Sequence, residues 1–367
     1  MAAVNKRFGR HRNQLLPCFL RSLKINLKHS LKSLKYAKSI IINKNTSYET
    51  YYIWSLGYAL SCDVTSFKHG IPPNYISFDK IFYFNPRYYI RPSRLRHGDL
   101  VWIASRYVEE FIKGVLPKLD KKIGLVITDG DDSFPSSFLG KCDIHKLLGS
   151  ENIMSIFSQN YDGTYGIGNK VFGIPIGLDF HSINRKGGFW GSPQKSAQEQ
   201  EEELAGILAG AKPVNDRIVK AYIDFHLNDR LLYDGTKRSA IFAMVNKPEI
   251  VDCQVGMVGR NELWKRKSQY LFSISPHGAG LDCHRTWEDL VLGCIVIVKK
   301  SALDPLYEGL PVAIVDSWNE ITKEKLVEWK HQYSPMLLDG RYREKLKLEW
   351  WIGYMRNIVA LKTKGTA

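Results

Sequence analysis

SISPHGAGLDCHRTWEDLVLGCIVIV, residues Ser273 to Val298, is the stretch whose reading decides the fold. With the preceding Leu271 and Phe272 it begins as a short apolar run, LFSIS, of the length and composition of a buried strand. Pro276 stops that strand, and Gly278 and Gly280 let backbone amides approach a bound group closely. A helix then starts near Asp282 or His284 and runs through HRTWEDLVLG, and CIVIV follows as a second strand. Strand, glycine turn, helix, strand is the pattern of a parallel sheet. In such sheets ligands bind beyond the carboxyl ends of the strands, where helix amino ends offer unpaired N–H groups to phosphate.

Working outward, the same alternation recurs. Upstream, DLVWIA reads as a strand, VEEFIKGVLPKL as a helix and IGLVIT as a buried strand that ends in the polar turn DGDDSFPSSFLG. IMSIFSQN and VFGIPIGLDF give two more strand and loop segments. SPQKSAQEQEEELAGILAG predicts a helix with Ser192 as cap and Pro193 at its first position. A second α/β unit is expected after Tyr233, with SAIFAMV as a strand, NELWKRKSQY as a helix and PVAIV as a strand. EKLKLEWWIGYMRNIVAL carries an amphipathic helix pattern, and long terminal helices of this kind cross back between domains. The aromatic run ISFDKIFYFNPRYYI fits a strand and an amphipathic helix equally. The division expected is a basic arm over 1–44, an acceptor-side α/β domain over 45–232, a nucleotide-binding Rossmann-like domain over 233–334 and a helical segment over 335–367.

Composition excludes several classes. An apolar fraction of 44% in 367 residues supports a sizeable core and rules out a fibrous or wholly disordered chain. The net charge of +15 is concentrated in residues 1–44, which hold eleven Lys or Arg and no acid; without them it falls to +4. That arm would attract any polyanion, nucleic acid, anionic membrane surface or acidic glycan alike. Six scattered cysteines show neither disulfide-scaffold density nor a CxxC site, and no stretch approaches 18 apolar residues. The apolar patch near the start is too short for a secretory signal, so a cytoplasmic protein without a transmembrane segment is expected.

The residues that carry chemistry lie mostly in the opening stretch. Arg285 and Glu288 are three apart on a helix; the arginine offers a planar fork for phosphate oxygens. Glu288 could accept ribose hydroxyls, orient Arg285 or simply pair with it. His277 could donate to phosphate or cap the turn, and Asp282 and His284 are similarly open. His277, Cys283, His284 and Cys294 match no usual zinc spacing, so no metal is expected there.

From Ser275 to Trp318, SPHGAGLDCHRTWEDLVLGCIVIVKKSALDPLYEGLPVAIVDSW closely resembles the carboxyl-terminal signature of exostosin-like (GT47-type) glycosyltransferases, including plant, algal and giant-virus members. ITDGDD and IPIGLDFH match the family's amino-domain loops more loosely. The resemblance implies a GT-B-like α/β fold, two Rossmann-like domains facing a cleft, and mostly inverting transfer from a nucleotide sugar to a glycan or other hydroxyl acceptor. It puts His277, Gly278, Gly280, Arg285 and Glu288 in the nucleotide-sugar pocket, with Arg285 near the diphosphate and Glu288 near the ribose. Ser301, Leu303 and Asp304 would form a neighbouring loop. Relatives often have Pro where this chain has Val296, which changes a backbone constraint but no chemistry.

Inverting transfer needs a base for the acceptor hydroxyl and stabilisation of the departing nucleoside diphosphate. Asp129, Asp131 and Asp132, clustered after a buried strand, are the first candidates for the base; Asp179 and His181 are the next. Asp129-Gly130-Asp131 also has the form of a DxD clamp for Mn2+, the metal-dependent alternative to a cofactor-free enzyme. Lys237 and Arg238 would add positive charge at the cleft. A polyanion-binding protein working through the basic arm, a glycoside hydrolase with paired carboxylates and an inactive lectin-like relative are the competing classes.

Overall fold

The computed structural model describes residues 50–66, 85–164, 170–184, 191–227, 231–254 and 256–364, all within a single packed unit. The basic arm and most of the aromatic run therefore lie outside the described residues; of the run's described part, Pro86–Tyr89 forms one helical turn.

The first half opens with α1, Ser55–Ser61, and continues as β1 (Leu100–Ala104), α2 (Val108–Gly114), β2 (Ile123–Thr128), α3 (Ile144–Gly149), β3 (Ile153–Ser158) and β4 (Val171–Gly173). The four strands pair in parallel in the order β1-β2-β3-β4. Every residue of β1, β2 and β3 is buried, as expected of strands covered on both faces. Ile103, Phe111, Ile127, Leu147 and Ile156 meet in the core between this sheet and its helices.

A one-turn helix, α4 (Phe180–Ile183), and α5 (Ala197–Ala209) lead to the second half. The start of α5 corrects the expectation at Ser192. Ser196 is the cap: its side chain accepts from Glu199 N, and the Glu199 carboxylate accepts from Ser196 N. This reciprocal pair fixes the start four residues later than the Ser-Pro signal indicates. Ser196→Ala is expected to lower stability by about 1 kcal/mol in urea unfolding.

The second sheet has strands β5 (Ile218–Ile223), β6 (Val251–Cys253), β7 (Tyr270–Ile274), β8 (Ile295–Lys299) and β9 (Val312–Val315), all parallel in the order β6-β5-β7-β8-β9. It includes β5, ahead of the start at 233 expected for this unit. Its helices are α6 (Arg238–Val245), α7 (Arg260–Lys267), α8 (His284–Val291) and α9 (Lys323–Asp339). SAIFAMV is therefore helix, not strand. Ile241 and Val245 are buried while Ala243, which a strand would place on the same face as both, is exposed, so the burial follows the helical period.

α9 packs on β5 and β8, and α10 (Leu348–Lys364) then crosses back to pack on β2, β3 and α1 of the first half. Two parallel Rossmann-like sheets with a returning terminal helix agree with the two-part α/β architecture expected. No helix among the described residues is long and apolar enough to cross a membrane.

Candidate functional site

The carboxyl-end loops of the two sheets meet. After β2 the chain enters DGDD with Asp129 in the left-handed region (φ 62°). Gly130 O accepts from Asn160 Nδ2 at 3.1 Å, just beyond β3. Asn160 Oδ1 in turn accepts from Asp282 N at 2.7 Å, so one side chain ties the aspartate turn to the glycine loop of the second sheet. Gly280 sits directly on that turn. A Cβ there would lie 2.7 Å from Asp131 O and 3.0 Å from Asn160 Nδ2, too close for any other residue without displacing backbone. Gly280→Ala is expected to cost about 1–3 kcal/mol through this overpacking, read by urea unfolding.

Both carboxylate oxygens of Asp282 are engaged within the protein. Its Oδ2 accepts from Ile176 N at 2.8 Å, its Oδ1 from Cys283 N at 2.7 Å, and both from Trp287 Nε1. Burial pushes its pKa up against these hydrogen bonds. This residue, expected in the donor pocket, is a buried tie between the halves.

α8 presents two groups of side chains. His284 and Glu288, four apart, face the loop after β4. His284 Nδ1 bonds to Gly177 O at 2.7 Å; since a carbonyl can only accept, that nitrogen carries the proton and Nε2 keeps a lone pair when the ring is neutral. Gly177 has φ 71°, and a Cβ on it would lie 2.2 Å from Ile53 O, so glycine is required where the acceptor carbonyl is displayed. Glu288 Oε1 lies 3.4 Å from Asp179 N and Oε2 lies 3.5 Å from Trp264 Nε1.

Asp179 caps α4 through Ser182 N at 3.0 Å. The same oxygen, Oδ1, is 3.0 Å from His181 Nδ1, and Oδ2 is 3.0 Å from the Arg260 guanidinium. Burial would raise this carboxyl, but His181, His284 and Arg260 outweigh it and hold it well below the usual carboxylate range. The His181 and His284 rings are 5.3 Å apart. Asp179 and His181, on the first sheet's loop, are thereby brought against His284 and Glu288 of the second.

Arg285 turns the other way. It pairs with Asp224, one residue past β5, at 2.6 Å through Nε, and not with Glu288 as one reading of the i,i+3 spacing had it. Its NH1 lies 3.5 Å from Cys283 Sγ. Behind this pair Lys267, only 1% exposed, bridges Asp224 (2.9 Å) and Asp289, which also accepts from Ser273 Oγ. Two cations and two carboxylates are thus buried together. Burial would push Lys267 down, but Asp224 and Asp289 hold it well above its ordinary value. Asp224 is held well below its own, the two cations overcoming burial. Asp289, the deeper carboxyl, is pushed up by burial.

The remaining expected residues are distributed around this centre. His277 is buried, its Nδ1 bonded to Leu281 O at 2.7 Å, and Tyr233 stands edge-on 5.9 Å away. Gly278 has room for a Cβ, its nearest neighbour being Asp282 O at 3.5 Å. Ser301 N donates to Asp304 Oδ1 (3.0 Å) and Leu303 N to Ser301 Oγ (3.2 Å), a self-bonded loop beyond β8. Lys237 is exposed and Arg238 half-buried at the start of α6. Asp129 pairs with Arg106 at 3.3 Å, Asp131 is exposed and Asp132 half-buried. Among the described residues, the one group of three His, Cys, Asp or Glu side chains placed to hold a metal ion is Asp179, His181 and His284, not the aspartate turn.

Sequence reasoning missed Asp224, Lys267, Asn160 and Arg260. Asp224 was hidden because β5 was not read as a strand. Lys267 ends the basic run WKRK and reads as surface.

No protein-family model matches the chain, and no curated protein matches it. Solved structures that are similar include an alpha1,3-fucosyltransferase (13% identity, TM-score 0.36, covering 71% of this chain and 76% of that one). Others are a trehalose 6-phosphate synthase from Burkholderia multivorans (12%, 0.41, 76% and 74%) and the catalytic domain of starch synthase IV from Arabidopsis thaliana bound to ADP and acarbose (12%, 0.34, 72% and 73%). Likeness at this level assigns no role to any residue.

Proposed function

We propose that the chain is a nucleotide-sugar-dependent glycosyltransferase of the exostosin-like kind, inverting and independent of metal. The observation that carries this reading is the meeting of the two sheets' carboxyl-end loops, which brings Asp179–His181 against His284 and Glu288 on α8. The resemblance of Ser275–Trp318 to exostosin-like signatures supports it. In this reading the diphosphate lies at the amino end of α8, where unpaired N–H groups and the outer edge of the Arg285 guanidinium receive it. The buried Asp224–Lys267–Asp289 network holds Arg285 in one orientation. Glu288 accepts from the ribose hydroxyls, and Tyr233 lies beside His277 at the rim.

For the base, the geometry favours the second sequence choice over the first. Asp129 is engaged by Arg106, whereas His181 Nδ1 lies 3.0 Å from the buried Asp179 carboxylate, whose charge favours the proton on that nitrogen and leaves Nε2 to take another. The acceptor hydroxyl then passes its proton to His181 Nε2 while its oxygen bonds to the sugar anomeric carbon. The bond from that carbon to the diphosphate oxygen breaks, and the nucleoside diphosphate leaves with the electron pair. A single displacement of this kind inverts the anomeric centre.

Calorimetric titration with UDP and GDP in EDTA tests the donor site. Saturable binding of one of them, weakened more than about tenfold by Glu288→Gln, is expected. Absence of binding by either nucleotide would overturn the reading.

A further inference from the structure

We propose that Asp179, His181 and His284 form a binding site for one zinc-class divalent cation, and that such a cation blocks the cleft instead of serving it. The three residues offer ligand atoms that all lie within 4.8 Å of one another. In a four-coordinate zinc site, with Zn–N near 2.0–2.1 Å, ligand atoms stand roughly 3.3 Å apart, so small rotations of the two rings close the site. Both rings are prepared for this. His284 Nδ1 is bound by the Gly177 carbonyl, which leaves its Nε2 for a metal, and His181 Nδ1 lies 3.0 Å from Asp179 Oδ1, the two atoms that would ligate beside it. For His284 the hydrogen bond on the second nitrogen orients the ring and raises its basicity toward a metal.

The charges also permit a cation. Arg260 opposes one, but Asp179 and Glu288 place two carboxylates beside it, Glu288 Oε1 lying 3.4 Å from Asp179 N. Two imidazoles with one carboxylate select zinc-class metals over magnesium or manganese, which prefer oxygen-rich shells. The site is distinct from the DxD clamp considered at the aspartate turn. It joins the start of α4 to the first residue of α8, more than a hundred residues further along the chain, so no motif announces it. Inhibition rests on the proposed role of His181: a cation held between its Nδ1 and Asp179 puts the neutral ring's proton on Nε2, which then has no lone pair to take the acceptor proton. Binding itself does not depend on that role.

The test is titration of the full chain with Co2+, read by its visible absorption, and with Zn2+ by calorimetry, both without nucleotide or sugar. One equivalent bound at micromolar concentration is expected, with affinity falling more than tenfold in both His181→Gln and His284→Gln. The exposed His331→Ala variant should bind as the parent does. Thermal unfolding without metal checks that each variant folds, and added Zn2+ should raise the melting temperature of the parent but not of the two cleft variants. Failure to saturate at millimolar metal, or undiminished binding in folded cleft variants, would overturn the proposal. Neither outcome bears on nucleotide binding, which is measured separately in EDTA. Should the site bind zinc while transfer is zinc-activated, the blocking role is overturned and the metal becomes part of catalysis.

Discussion

His181→Ala is expected to reduce sugar transfer by about 10²–10⁴-fold while UDP or GDP binding stays close to that of the parent. The reason is geometric. His181 stands in α4, on the side proposed to receive the acceptor, and its Nδ1 is 3.0 Å from Asp179 Oδ1. The diphosphate contacts proposed for the donor come from the amino-end N–H groups of α8 and from Arg285, whereas the His181 ring meets α8 at His284. Turnover and nucleotide affinity should therefore separate. If both fell together, His181 would be a binding or packing residue. If neither fell, the base would return to the Asp129–Asp132 turn. Asp179→Asn should give a smaller loss in the same direction, because the imidazole would keep its place but lose the anion that stabilises its protonated form.

Arg285→Ala carries the largest expected effect on stability, about 3–5 kcal/mol. The guanidinium neutralises Asp224 inside a cluster where Lys267 is 1% exposed and the Asp224 side chain 8% exposed. Its removal leaves two buried carboxylates facing one ammonium. Arg285→Met combined with Asp224→Asn should recover much of that loss, since the charge count is balanced again, and a double-mutant cycle in urea measures the coupling. Arg285→Lys should fold but bind donor poorly, because an ammonium cannot both satisfy Asp224 and present a fork to phosphate. The same cluster sets an acid limit. Asp224 is held below its unfolded value, so its contribution is present above about pH 4 and is lost as pH falls below that. The slope of stability against pH in this range should be shallower in a folded Asp224→Asn variant.

Much of the fold was legible in the sequence, and the failures have identifiable causes. β1, β2, β3, β7 and β8 are short, largely apolar runs bounded by Gly, Pro or polar turns, and each is a strand buried along most of its length. SAIFAMV has the same composition, yet forms α6, because it lies at the margin with only Ile241 and Val245 buried. A short apolar run does not by itself distinguish a strand from a helix. β5 escaped notice for the converse reason. Its first three residues, Ile218, Val219 and Lys220, are exposed or half-buried, so it lacks the uninterrupted apolar character of its neighbours.

For the site, local signals located loops and could not give their partners. Gly278, Gly280, His284, Arg285 and Glu288 are where a strand-to-helix turn should place them. That Arg285 turns to Asp224 while His284 and Glu288 turn to the GLDFH loop follows only from tertiary packing. Asp282 shows the limit most clearly: an aspartate between a glycine loop and a helix suggests ligand chemistry, and the fold uses it to join the two sheets.

The most direct test of the account is release of nucleoside diphosphate from a panel of UDP- and GDP-sugars in EDTA, comparing the parent with Glu288→Gln. Release from one donor class without metal, diminished in the variant, is the result predicted. Release that appears only with manganese would contradict the metal-free cleft and move the chemistry toward Asp129 and Asp131; neither release nor binding of any nucleotide would contradict the transferase itself.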